Sequence, residues 1–538
     1  MTTLYRNARI FTADTTAPWA EALVVEGSDL VFVGDLPGAE RSAGTGAEVV
    51  DLGGALVVPG FVDAHSHLLM LGEALGQVAL TDARDVATIQ ERLRAARDEA
   101  PDAPRLLGRG WLFDSIPGGR PTAAMIDEVV ADVPVYLNAN DYHSCWVNTA
   151  ALAELGIDRD TPDPIGGRIS RDANGDADGM LYETAASQRV WPLLSQVQTE
   201  ADRDDALERA LDSYLAAGVT AAVDMAFNED GLATFDRAVA RRGAPLPFTA
   251  LAHWFIENTG DDEQNLAQVA RAAELAHRPD DGGVRVIGIK LVLDGVIDAC
   301  TAAMNHPYVD GSNADPIWSL ERAKVVVAAA DAAGMQIALH AIGDAASDLA
   351  LDALEHAVAV NGDLPRRHRI EHLEYTSPET PARMARLGVT ASMQPVHADP
   401  AIWDNWAAMV GPERAARGLA WPEFIDAGVR LAFSTDAPTA PYPALPNMYV
   451  ASTRRSALDD SYPPNHPEFA RPLAEAIERG TREAAASCRE DERRGSLTAG
   501  RRADFVVIDR DPFVEGEESL LSAQVTLTVS GGGVVHRA

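Results

Sequence analysis

The middle of the chain repeats one unit: an alanine-rich amphipathic helix, a glycine, then a short apolar strand. "ALERALDSYLAAGVTAAVDM", "ERAKVVVAAADAAGMQIALHAIGD" and "PARMARLGVTASMQPV" each carry it. Helical periodicity followed by an apolar run of strand length is what a parallel sheet with crossover helices requires. Candidate strands fall at residues 57–65, 219–225, 247–254, 284–293, 336–342, 368–374, 389–395 and 430–436. Eight of them predict an α/β fold built on a (β/α)8 TIM barrel.

The gap between the first and second strands is far longer than the others. Residues 75–200, with turn-rich pieces such as "GGRISRDANGDADG", predict an insertion after barrel strand 1 that covers the barrel mouth. The two ends of the chain differ from the middle. "EALVVEGSDLVFVGD" near the start and "AQVTLTVSGGGVVHRA" at the end are strand-like runs broken by Gly and Asp. Together they predict a small β-sandwich domain formed by both termini, residues 1–58 plus 490–538, and leave 59–489 to the barrel with its insertion.

Composition narrows the function classes. With 538 residues, 46% of them hydrophobic, the chain has ample material for packed cores. Its 45 basic and 81 acidic residues give a formal charge of −36, which repels phosphate backbones and anionic bilayers, so neither nucleic acid nor a membrane is an expected partner. Cys145, Cys300 and Cys488 are too widely spaced for a disulfide framework or a CxxC metal site, which fits a reducing compartment. No basic-then-apolar leader and no apolar stretch of ~18 residues stands out, so the expected location is cytoplasmic.

The first barrel strand ends in "PGFVDAHSH". Residues two apart on a strand point to the same side, so His65 and His67 share one space at the strand's C-terminal end, where barrel enzymes keep their active sites. Imidazole is the commonest nitrogen ligand for zinc and similar ions, so the pair is half of a metal site or, taken alone, two ordinary turn histidines. Other strand ends add Lys290 in "VIGIKLVLDG", His340 in "IALHAIGD", His372 in "HRIEHLEY" and Asp436 in "LAFSTDAP". Burial disfavours the ammonium of Lys290 and frees an amine that can take up carbon dioxide as a carbamate, an anion able to bridge two metals. The plainer alternative is an ion pair with Asp294 or Glu371. Asp436 can both bind a metal and accept a proton from the water on it. No GxSxG elbow, P-loop or GxGxxG before a helix is present, which leaves nucleotide chemistry without support. His253, His306 and His466 read as ordinary polar residues, and His277, His356, His368 and His536 as exposed ones.

"PGFVDAHSH", "HAIGD", "IEHLE", "STDAP" and the closing "GSLTAGRRADFVVID", in this order, resemble the amidohydrolase superfamily. More narrowly they resemble its third family, the YtcJ-like and N-substituted formamide deformylase-like proteins. The resemblance implies a metal-dependent hydrolase that cleaves the C–N bond of a small-molecule amide. It implies a divalent metal, with zinc the expected ion, one or two per chain. His65 and His67 would hold the more buried ion and His340 and His372 the second, with Lys290 between them as a carbamate formed from CO2. Asp436 would be a further ligand and the catalytic proton relay. "GRGWLFDS", "NDYHSCWVNTAAL" and "GMLYETA" resemble covering segments that bring Trp111, His143 and Glu183 to the substrate, and Asp294 and His397 join them on the same ground. "DGVIDACTAAM" departs from the commoner "DGSLGSRTA" type of the family and looks closer to the formamide deformylase-like branch, a resemblance that implies N-substituted formamides or small N-acyl amides as substrates. A deaminase or cyclic-amide hydrolase, and a regulatory or metal-binding relative without turnover, stay open as alternatives. So does a homodimer.

Overall fold

The computed structural model describes residues 2–139, 144–164 and 167–538, apart from the side chains of Asp114, Glu183 and Thr184. The chain divides into two compact units, Leu69–Ala210 and Met1–Leu68 with Leu211–Ala538.

The larger unit holds an eight-stranded parallel sheet: β1 Phe61–Ser66, β2 Val219–Phe227, β3 Thr249–Phe255, β4 Val284–Val292, β5 Gln336–Ala341, β6 Arg369–His372, β7 Thr390–Met393 and β8 Leu431–Phe433. Each strand pairs with its sequence neighbour, in the order of a barrel. The crossover helices have strong local signals. Helix Glu229–Arg242 starts where the Asn228 side chain accepts from the Gly231 amide at 3.0 Å, and carries Glu229 and Asp230 in its first turn and Arg241 and Arg242 in its last. Those charges oppose the helix dipole at both ends. Gly243, at φ 64°, stops the helix in the left-handed turn that an L side chain resists, and the chain returns to β3.

The sheet closes where β8 meets β1. The Asp436 amide donates to the His65 carbonyl at 2.8 Å and the His67 amide to the Ala437 carbonyl at 2.9 Å. Beside this seam the buried Asp63 carboxylate accepts from the Thr435 amide (3.0 Å), the Thr435 hydroxyl (2.5 Å) and the Tyr214 hydroxyl (2.9 Å). Burial pushes the Asp63 pKa up, and these three donors are what keep the group tolerable there.

The strand expected at 57–65 is two strands. Leu56–Pro59 pairs with Phe505–Ile508 and Arg9–Phe11, outside the barrel, and only Phe61–Ser66 belongs to the barrel. Pro59 has no amide to continue a ladder, and Gly60 crosses so close to β2 that a Cβ would lie 2.4 Å from the Thr220 hydroxyl. The apolar run is continuous in sequence, so its period does not reveal the break.

Leu56–Pro59 belongs to a six-stranded sheet that also takes in Val525–Ser530 and Gly533–Arg537 from the far end of the chain. A second sheet contains Thr2–Arg6, Ala22–Glu26, Asp29–Gly34 and Glu48–Asp51. Tyr5, Leu23 and Val25 of one and Val57, Phe505 and Val529 of the other share one apolar core, a sandwich built from both ends. In the smaller unit, a six-stranded sheet from Val78–Ala79 to Gly167–Arg171 packs around Leu137, Trp111 and Trp146. Among the described residues no helix is long and apolar enough to cross a membrane.

Gly60→Ala should destabilise the protein by about 1–3 kcal/mol through overpacking against the β-branched, buried Thr220. The expected result is a lower urea midpoint at unchanged slope.

Candidate metal centre

Six groups from five strand ends approach one another in the larger unit. Asp436 lies three residues past β8, at φ 61°, and His372 ends β6 at φ 74°. A left-handed conformation costs a non-glycine residue of order 1–3 kcal/mol unless the surroundings enforce it, and such residues cluster at functional sites. Here the enforcement is visible: Leu373 donates its amide to Ala341 at 3.1 Å and Asp436 donates its own to His65.

Asp436 Oδ1 is 3.2 Å from His65 Nε2 and 3.1 Å from His67 Nε2. Its Oδ2 is 3.9 Å from His397 Nε2. The outer nitrogens of three rings are held from behind. His65 Nδ1 donates to Glu371 at 2.8 Å, His372 Nδ1 to Gln394 Oε1 at 3.0 Å, and His397 Nδ1 to Glu374 at 3.3 Å. Gln394 in turn donates to the Ser434 hydroxyl at 2.9 Å, which fixes its amide the right way round. A ring that gives its Nδ1–H to a carboxylate or amide oxygen presents a lone pair at Nε2. His65 Nε2 and Asp436 Oδ1 are then two acceptors face to face, an arrangement that needs a cation or a proton between them. His67 Nδ1 is buried with no hydrogen-bond partner. Among the described residues, His65, His67 and Asp436 form one group whose donor atoms converge closely enough for a metal ion, and His372, His397 and Asp436 form another.

The charges beneath the rings are balanced by a fully buried ion pair. Arg369 donates to Glu371 from Nε (2.5 Å) and Nη2 (3.0 Å), and also reaches the Ala64 carbonyl (2.8 Å) and the Ser392 hydroxyl (2.7 Å). Burial alone would raise the Glu371 pKa, but the Arg369 charge and the His65 bond hold the carboxyl well below its usual range. Asp436 behaves alike: burial raises it and the surrounding imidazoles, His65 first, outweigh that. Burial lowers His340 to about 3, with Lys290 adding to the shift, and holds His372 well below its ordinary value, so these rings stay neutral and fit for coordination. His397 is raised instead, because Glu374 and Asp436 overcome the effect of burial.

Lys290, 2% exposed, ends near His65, its Nζ 3.4 Å from Nε2. It makes no ion pair with Asp294 or Glu371. Burial lowers its pKa to about 8.

Several expected residues sit elsewhere or act differently. His340 turns Nε2 to the Gly295 carbonyl (3.2 Å) and lies 3.5 Å from Asp294, and it joins neither convergent group. Asp294, expected at the substrate, is fully buried and accepts from the backbone amides of Ala303, Ile342 and Gly343, so it clamps the loops after β4 and β5. Trp111, also expected at the substrate, has no exposed surface: it packs on Phe113 and Trp146 and donates its indole N–H to Leu137 at 2.9 Å. His143 lies outside the described residues, and Glu183 closes strand Ala177–Glu183 with its side chain undescribed. His368, expected on the surface, is buried on Asp331 (2.9 Å), and His253, expected to be an ordinary polar residue, is fully buried with neither ring nitrogen partnered.

A sequence profile of the amidohydrolase family matches residues 48–536. The chain belongs to the amidohydrolase family. This amidohydrolase is 30% identical to Protein LONG AFTER FAR-RED 3 of Arabidopsis thaliana, over 98% of its own length and 90% of that protein's. It is 28% identical to N-substituted formamide deformylase of Arthrobacter pascens, over 98% and 96% of the two chains. The crystal structure of an uncharacterized metal-dependent hydrolase from Pyrococcus horikoshii OT3 superposes with a TM-score of 0.79 at 25% identity, covering 96% of this chain and 99% of that one.

Arg369, Gln394 and Glu374 are not singled out by the sequence reading, and Glu371 only as an alternative partner for Lys290, although two opposite charges two residues apart in the buried strand "RIEH" are a readable sign of an internal pair. Arg369→Met should cost about 3–5 kcal/mol, because it strands the Glu371 carboxylate in the interior. Since the folded-state pKa of Glu371 lies below its ordinary 4.5, the pair's contribution is complete above about pH 4.5 and is lost as the pH falls below it. Urea titrations of wild type and variant at neutral and acidic pH should therefore converge on acidification.

Proposed function

We propose that this amidohydrolase is a metal-dependent enzyme that hydrolyses the C–N bond of small N-acyl amides, N-substituted formamides foremost. The observation that carries the reading is the convergence of the His65 and His67 Nε2 atoms on one Asp436 oxygen, with His65 locked from behind by Glu371. Acceptors crowded in this way fit a divalent cation, zinc by ligand type. A cation held there supplies Lewis-acid polarisation of the scissile carbonyl and a water acidified to near neutrality.

The chain's own residues do the rest. Asp436, kept ionised by its imidazole neighbours, accepts the proton from the attacking water and delivers it to the leaving nitrogen, so that acid and amine depart as separate products. His65 and His67 are ligands whose ring angles are set by the seam between β1 and β8. Lys290, lowered to about 8, has the free-amine fraction needed to add to CO2, forming an N–C bond with loss of one proton. The carbamate would replace a cation beside His65 with an anion. The formamide preference is supported by the full-length similarity to the Arthrobacter pascens deformylase.

The test is an amide panel with separate formate and ammonia readouts. Formate from N-substituted formamides is the expected product, ammonia release would favour a deaminase, and His65→Ala should abolish turnover and lower bound metal by elemental analysis. Turnover that survives His65→Ala, or wild type free of metal, contradicts the reading. For Lys290, 13C-bicarbonate supplied during reconstitution should give a carbamate carbon resonance that Lys290→Ala lacks.

A further inference from the structure

We propose that Asp224 is the residue that positions His67 for the cation, and that it acts through the backbone rather than through the ring. The proposal rests on the metal-site reading above and deepens it. Nothing in the sequence reading singles Asp224 out.

His67 differs from the other imidazoles around Asp436. Glu371, Gln394 and Glu374 hold His65, His372 and His397 by Nδ1, whereas His67 Nδ1 is buried and has no partner among the described residues. Its Nε2 nevertheless lies 3.1 Å from Asp436 Oδ1. His67 also stands one residue past the end of β1, whose pairing with β2 stops at Ser66 and Asp224. A ring with no acceptor of its own takes its direction from the peptide planes on either side. The plane before His67 is tied through its amide to the Ala437 carbonyl at 2.9 Å, and the Ser66 hydroxyl donates to the Val223 carbonyl at 3.3 Å. The plane after it is tied through the Leu68 amide, which donates to Asp224 Oδ2 at 2.8 Å.

Asp224 is built as a bracket. It is the charged residue of the strand "VTAAVDMAF" and is buried. Its Oδ1 accepts from the Ala226 amide at 3.0 Å, on its own strand, while Oδ2 grips the chain just beyond His67. Burial pushes its pKa up, and His67, the two amides and His65 act against that. The plainer role is a cap for the helix Leu68–Leu75, which starts at the same amide. A neutral serine or asparagine caps a helix well without a buried charge. Holding two amides at fixed places takes an acceptor on each oxygen, which a carboxylate has; asparagine would turn an N–H2 toward one of them.

The experiment uses the full-length protein, stripped with a chelator and titrated with zinc against a competing indicator. Asp224→Asn should weaken the tightest zinc about 10–100-fold, and Asp224→Ser, which brings no N–H2 against Leu68, should do the same. Zinc-edge absorption spectra of the loaded proteins should show less imidazole scattering in both variants than in wild type. Asp224→Asn combined with His67→Ala should bind zinc no more weakly than His67→Ala alone, because both changes act through one ring. Variants that lose stability but keep the wild-type zinc affinity and imidazole scattering would reduce Asp224 to a helix cap. Losses that add to that of His67→Ala would place its effect elsewhere, and either result overturns the proposal. Wild type with no bound zinc would instead refute the metal-site reading and this proposal with it, so the two failures are distinguishable.

Discussion

The bond from the Asp436 amide to the His65 carbonyl, 2.8 Å long, joins the last barrel strand to the first, and the residues at its two ends are the ones whose side chains meet at the centre of the site. The contacts that bring the end of β8 to β1 also bring Asp436 to His65 and His67. A sheet whose β1 and β8 failed to meet would leave Asp436 without His65 and His67. Asp63 reinforces the same seam by taking three donors from Thr435 and Tyr214, at the cost of burying a carboxyl group. The left-handed backbone at Asp436 is held by this closure, which aims the carboxylate at the histidines.

Behind the seam stands the Arg369–Glu371 pair. Two buried charges are expensive to desolvate, and a hydrophobic pair of the same volume would be no less stable. Their presence is better explained by position than by stability: Glu371 orients His65, and Arg369 keeps Glu371 ionised while reaching across to the β1 carbonyl of Ala64. Gln394 and Glu374 repeat the device for His372 and His397. Three imidazoles are thus oriented by three separate polar groups.

Much of this was legible in the sequence, and the reasons differ by element. Seven of the eight barrel strands are legible because each follows a helix and a glycine, whereas β1 follows another strand. His65, His67, Lys290, His340, His372 and Asp436 stand out as polar residues at strand ends, where an apolar run has no other use for them. The division of 57–65 into two strands was hidden, because Pro59 and Gly60 interrupt the ladder without interrupting the apolar pattern. Trp111 is expected at the substrate and is found packed in a core: an indole serves both equally well, and no sequence spacing encodes its bond to Leu137. The partnership of His397 with Glu374 spans two strand ends and depends on Trp406 of a third segment, so no local spacing encodes it.

In the proposed function, the Nε2 atoms oriented toward Asp436 hold a cation. Diffraction from crystals of the zinc-loaded protein, measured on both sides of the zinc absorption edge, tests it directly. An anomalous peak that appears only above the edge is expected between His65, His67 and Asp436. Zinc bound at other residues, with those three side chains still paired to one another, would contradict it.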